Sequence, residues 1–163
     1  MQKRKRLNQD HTLLYTQHFP FRQKAKGGYR AILGIGGNMG DTVRRFERLY
    51  WVMQRSAKIE IIQSSPILKN PPFGYLEQDD FYNALLEVET PLRPQALLRY
   101  ILHLEKQFKR KRTFQDAPRT LDIDMIFYEK VTMNTKTLTL PHHGWHQRDS
   151  VIIPLSLLYK AQR

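Results

Sequence analysis

Between Arg30 and Phe127 the apolar residues change period in the order strand, helix, strand, strand, helix, strand, and few folds accept that order. Arg30 to Ile35 is a short apolar run that ends in the turn signal Gly36-Gly37-Asn38. Asp41 is placed to cap a helix reaching about Ser56, with Val43, Phe46, Tyr50 and Met53 at three- and four-residue steps. Ile59 to Leu68 reads as a second strand. Asn70-Pro71-Pro72-Phe73-Gly74 must be loop, because two prolines remove backbone donors and disfavour helix before them. Phe81 to Val88 reads as a third strand, and Pro94 opens a helix through Leu97, Leu98, Ile101, Leu102, Leu104, Glu105 and Phe108. Lys109 to Arg119 is a basic loop, and Leu121 to Phe127 alternates as a fourth strand. An extra short strand at Thr137 to Leu140 follows, then a closing helix over Ser150 to Tyr159, interrupted near its start by Pro154. The expected class is α+β: a ferredoxin-like βαββαβ antiparallel sheet with its helices packed on one face. Such a fold names no function.

Charge narrows the partners. There are 27 Lys+Arg against 15 Asp+Glu, a formal +12, and residues 1–30 carry +7 of it. A basic surface attracts phosphorylated small molecules and nucleic acids alike. Residues 1–28 read as a basic N-terminal extension that lies partly on the surface of a catalytic domain at 29–163. No apolar run is long enough to cross a bilayer and no secretory leader is evident. Cysteine is absent, so neither disulfides nor thiol chemistry enter. A monomer in the cytoplasm is the default expectation.

The sharpest local signal is Arg119-Thr120-Leu121-Asp122-Ile123-Asp124. Side chains alternate along a strand, so Asp122 and Asp124 share one face while Leu121, Ile123 and Met125 take the other. Two carboxylates on one face repel, and Mg²⁺ accepts one or two such ligands together with substrate phosphates. A merely solvated outer face is the competing reading. Lys109-Arg110-Lys111-Arg112 is by itself a solvated run, but Arg119 stands three residues before the carboxylates and could neutralise phosphate charge. Pro141-His142-His143 with Arg148 reads equally as ordinary loop or as imidazole and guanidinium against phosphate. Phe73, Phe81 and Asn83 suit a flat heteroaromatic ligand, whose rings stack and whose edge amides read, or an ordinary strand and turn. Gly34 to Gly40 lacks the full dinucleotide spacing and reads as a tight strand-to-helix turn.

In order and spacing these segments resemble the 6-hydroxymethyl-7,8-dihydropterin pyrophosphokinase family, from about Ala31 to Leu158. The landmarks are Gly36-Gly37-Asn38, Asn70-Pro71-Pro72-Phe73-Gly74, Gln78 with Phe81 and Asn83, Glu105, Arg110 and Arg112, the Arg119–Asp124 run, and Pro141-His142 followed by Arg148 and Pro154-Leu155. The resemblance implies ATP as co-substrate and transfer of its terminal diphosphate to the pterin hydroxymethyl group in folate biosynthesis. It implies two Mg²⁺ ions on Asp122 and Asp124, with Arg110 and Arg119 offsetting phosphate charge. It implies nucleotide contacts from Leu98, Glu105, Arg112, Met125, Leu138, Thr139, His142 and Arg148. The pterin would meet Asn70, Pro71, Phe73, Phe81 and Asn83. Three positions depart from the family: Ser150 where an aromatic residue is usual, Lys109 where glycine is common, and a shorter stretch at Thr113 to Pro118. A basic nucleic-acid-binding module on the same fold is the alternative, with nucleic acid the less favoured partner because Asp122 and Asp124 repel phosphate.

Overall fold

The computed structural model describes residues 2–108 and 117–160. In chain order the strands are β1 (Lys3–Arg6), β2 (Thr12–Tyr15), β3 (Phe21–Arg22), β4 (Tyr29–Gly37), β5 (Glu60–Ser64), β6 (Ile67–Asn70), β7 (Phe81–Thr90), β8 (Asp122–Tyr128), β9 (Met133–Asn134) and β10 (Thr139–Leu140). Helix α1 (Thr42–Gln54) follows β4, α2 (Pro94–Gln107) follows β7, and α3 (Asp149–Lys160) closes the chain. Among the described residues eight strands form one sheet in the order β1-β2-β6-β7-β4-β8, with β5 paired to β7 and β3 to β5. Every adjacent pair is antiparallel. The expected βαββαβ order is therefore present in β4-α1-β5/β6-β7-α2-β8.

Local chemistry explains most boundaries. The Asp41 carboxylate accepts the Arg44 N–H at 3.1 Å and starts α1. The apolar run expected as one strand is two, β5 and β6, laid end to end along β7. Pro66 cannot donate to a ladder, and the Ser65 hydroxyl takes the Leu85 N–H at 2.9 Å across the break. In β8 the register shifts so that Ile32 faces Phe127 while Leu33 faces Met125, which leaves Ile126 as the bulged residue. Pro154 does not interrupt α3, which runs through it. The N–H that proline lacks would have bonded the Ser150 carbonyl, so α3 goes without that one bond.

The two faces of the sheet are covered differently. Leu33, Ile35, Ala84, Leu86, Ile123 and Met125 meet α1 and α2 in the main core. Ile32, Leu85 and Ile126 point the other way and meet Val151 and Leu158 of α3. The C-terminal helix thus covers the face opposite α1 and α2.

The N-terminal segment needs the largest correction. It is not an appendage lying on the domain: β1, β2 and β3 are hydrogen-bonded strands of the sheet. Leu13, Leu14 and Phe19 are at most 1% exposed. The Thr16 hydroxyl donates to Glu47 of α1 at 2.6 Å, and His18 stacks on Tyr50 with ring centroids 3.9 Å apart. Burial opposes the charge on Glu47, but bonds from Thr16, the His18 ring and the His18 N–H outweigh it and hold that carboxyl below its ordinary value.

Candidate active site

The site lies on the α3 face of the sheet, at the end where β4 leaves for α1. Strand alternation puts Asp122 and Asp124 there, opposite the buried Ile123 and Met125. Asp124 opens to solvent and Asp122 is buried. The Arg119 Nε stands 3.0 Å from Asp122 Oδ2. Crowding by protein and then the Asp122 charge push the Asp124 carboxyl above its ordinary value, against the pull of His142, Arg148 and Arg119. The two carboxylates offer oxygen donors of the kind a hard divalent ion prefers.

His142 and Arg148 reach the same place from the segment before α3. The His142 N–H donates to the Ile126 carbonyl at 2.9 Å, which ties the segment to β8. The Gly144 N–H donates to His142 Nδ1 at 3.2 Å, so the ring proton sits on Nε2. Burial, with help from Arg148 and His143, keeps the His142 pKa below its ordinary value against the pull of Asp124. Arg148 is exposed and packs beside Gly144, where an added Cβ would lie 3.3 Å from Arg148 Nε.

The amide and aromatic set gathers on the neighbouring strands. Phe81 pairs with Asn70 across β7 and β6, and the Asn83 amide donates to Asn70 Oδ1 at 2.7 Å. The Arg119 guanidinium lies 5.5 Å from the centre of the Phe81 ring and so links this set to the carboxylates. Phe73 is not drawn in. It is 83% exposed on the loop that follows Asn70, and Pro71 is exposed too.

The nucleotide candidates divide. Leu98, Met125 and Leu138 belong to the main core or pack on it, on the helix side of β8, with Thr139 half-buried nearby. Glu105 is buried and accepts the Ile123 N–H at 2.9 Å, which satisfies a backbone donor of β8, the last strand of the sheet. Arg110 and Arg112 lie outside the described residues, as do Lys109 and Lys111.

Asn38 is the residue whose importance the sequence hid. Its amide donates to Gln78 Oε1 and to the Asp79 carbonyl, each at 2.9 Å, and its Oδ1 accepts the Arg119 N–H at 2.8 Å. Its own N–H bonds the Arg119 carbonyl at 2.9 Å. One buried side chain therefore ties the Gly36-Gly37 turn, the 70s loop and the entry to β8. Its position in the turn motif was the only signal in the sequence. A concavity of about 480 Å³ opens beside it, lined by Asn38, Gly40, Lys69, Gln78, Asp79, Asp80 and Tyr82. Lys69 and Tyr82 alternate away from Asn70, Phe81 and Asn83, so that space is separate from the carboxylate face.

Gly37 is fixed by this packing. A Cβ there would stand 2.6 Å from the Thr120 carbonyl oxygen. Gly37→Ala is expected to push back the segment entering β8, two residues before Asp122, costing about 1–3 kcal/mol. A matching drop in melting temperature, with a loss of turnover larger than the unfolded fraction explains, would establish the clash; an unchanged melting temperature would refute it.

Paired carboxylates, guanidiniums and an imidazole thus share one face, beside an aromatic and amide set. Part of the sheet surface that an RNA-binding domain of this fold would use is covered here by α3, and the nucleic-acid alternative gains no support. A family model described as 7,8-dihydro-6-hydroxymethylpterin-pyrophosphokinase (HPPK) matches residues 32–160. Curated proteins called 2-amino-4-hydroxy-6-hydroxymethyldihydropteridine pyrophosphokinase are similar over most of their length. The one from Campylobacter jejuni is 42% identical over 130 residues, covering 80% of this chain and 83% of its own. The one from Helicobacter pylori is 39% identical over 149 residues, covering 89% and 91%. The chain belongs to the 7,8-dihydro-6-hydroxymethylpterin-pyrophosphokinase family.

Proposed function

We propose that the protein transfers the terminal diphosphate of ATP to the hydroxymethyl group of 6-hydroxymethyl-7,8-dihydropterin, giving AMP and the pterin diphosphate for folate synthesis. The observation that carries this reading is that Asp122, Asp124, His142, Arg148 and Arg119 converge on one face, beside Phe81, Asn70 and Asn83. The acceptor oxygen bonds to the β-phosphorus, the bridge to the α-phosphate breaks, AMP leaves and the hydroxyl proton passes to solvent. In-line transfer of this kind depends on positioning and on neutralising charge.

Two Mg²⁺ ions would be held by Asp122 and Asp124 and would supply charge neutralisation at the phosphate oxygens. His142 donates from Nε2 to a phosphate oxygen, and Arg148 and Arg119 lie along the triphosphate. Arg110 and Arg112 add positive charge from the segment between α2 and β8. The base rests against Leu98, Met125, Leu138 and Thr139 at the β8 edge, while Glu105 keeps that edge in register. Phe81 stacks on the pterin and the Asn70–Asn83 amide pair reads its edge, with Pro71 and Phe73 closing in from the loop when substrate binds. The protein acts as a monomer in the cytoplasm.

The test is to incubate the protein with ATP and Mg²⁺, with and without the hydroxymethyldihydropterin. AMP is expected to appear only when pterin is present, and chelating the metal should stop it. AMP formed equally without pterin, or none formed with it, would refute the reading.

A further inference from the structure

We propose that His11, carried by the N-terminal strand that precedes the family region, forms the outer wall of the acceptor pocket and helps select a flat heterocycle there. This rests on the acceptor pocket assigned above. His11 immediately precedes β2, and β2 pairs with β6 through Thr12 and Lys69, Leu13 and Leu68, and Leu14 and Ile67. One step beyond that ladder His11 stands opposite Asn70, which itself pairs with Phe81. Phe81, Asn70 and His11 therefore form one row across three adjacent strands, and side chains in such a row share a face.

The side-chain contacts agree. Leu14, three residues on, enters the core under α1 and α2, as alternation from His11 requires. His11 Nε2 lies 3.6 Å from Asp149 Oδ2, at the first turn of α3, the helix on the carboxylate face. The ring is also held from behind. Asn8 Oδ1 accepts the Asp10 N–H at 2.8 Å and the His11 N–H at 2.9 Å, which fixes it as an acceptor. His11 Nδ1, 3.0 Å from the same oxygen, is therefore the donor in that contact.

The spacing suits a ring between two rings. Strands are about 4.8 Å apart, so Phe81 and His11 are separated by roughly 9.6 Å across two steps. A flat ligand standing over Asn70 would have a ring on either side at about half that distance, within the usual range for stacked aromatics. Arg119 lies over the Phe81 ring from the β8 side, while Asn70 and His11 lie on the β6 side. Ser150, half-buried in the first turn of α3, supplies no ring to this gap.

The test measures binding of hydroxymethylpterin by calorimetry, with Mg²⁺ and a non-hydrolysable ATP analogue present, alongside AMP formation. His11→Ala should weaken pterin binding about tenfold and leave affinity for the ATP analogue unchanged. His11→Phe should restore pterin binding to within about twofold, and Asp149→Ala should leave it within the same margin. Melting curves for each variant, with the phenylalanine variant as a folded control, separate lost binding from lost structure. Pterin binding unchanged in His11→Ala, or equally weakened in Asp149→Ala, would overturn the wall. A wild-type protein that binds pterin but forms no AMP would refute the proposed function while leaving the wall to be decided by the same variants. One that binds no pterin would end both.

Discussion

Asp124→Asn is expected to stop turnover, by a factor on the order of 10³ or more, in a protein that folds as well as the wild type or better. The two effects have one cause. Crowding by protein atoms around a carboxylate whose tip still meets solvent, and then the neighbouring Asp122 charge, raise the Asp124 pKa, so its ionised form is somewhat disfavoured in the folded chain relative to the unfolded one. A carboxyl whose folded pKa is raised weakens the fold above that pKa and ceases to do so as pH falls through it. The asparagine removes this penalty, so its melting temperature should exceed the wild type's near neutral pH and converge with it in acid. Added Mg²⁺ should then raise the melting temperature of the wild type and not that of the variant. A variant that keeps a tenth or more of wild-type turnover would remove Asp124 from the chemistry. A less stable variant at neutral pH would contradict the electrostatic account.

What could be read from the sequence was whatever a single period or a single cap determines. Alternation sufficed to put Asp122 and Asp124 together and Ile123 and Met125 behind them, because a half-buried strand allows no other arrangement. Asp41 capped α1 as its position required. The roles that escaped depend on partners far along the chain. Glu105 falls on the inward stripe of α2, but nothing local says that its carboxylate will satisfy the Ile123 N–H. Asn38 looks like any turn asparagine until the 70s loop and Arg119 arrive to use its side chain. Phe73, expected against the pterin pocket, is 83% exposed in the ligand-free fold, and no local pattern in the sequence says where a loop side chain will rest. Lys3-Arg4-Lys5-Arg6 has no strand propensity and no buried face, yet it pairs with β2. On an outer strand such charge is tolerated, and it discourages a second chain from adding to the edge.

Removing residues 1–22 is expected to abolish cooperative folding, although that segment precedes the family region. Leu13, Leu14 and Phe19 are fully buried, and each such side chain contributes about 1.5–3 kcal/mol by leaving water. The deletion also strips the ladder partners from β6 and from Ser64 and Gln63 of β5, and takes from Glu47 the bonds of Thr16 and His18. Together these losses reach the roughly 5–15 kcal/mol by which an ordinary domain is stable at all. Phe19→Ala is the graded form of the same test: its ring packs against Phe46 with centroids 5.9 Å apart, and its loss should cost about 3–5 kcal/mol. Chemical denaturation of both variants decides the matter. A truncated protein that unfolds cooperatively at the wild-type midpoint would mean that the domain is complete without its first three strands. The buried leucines and Phe19 would then be passengers on a core that closes without them.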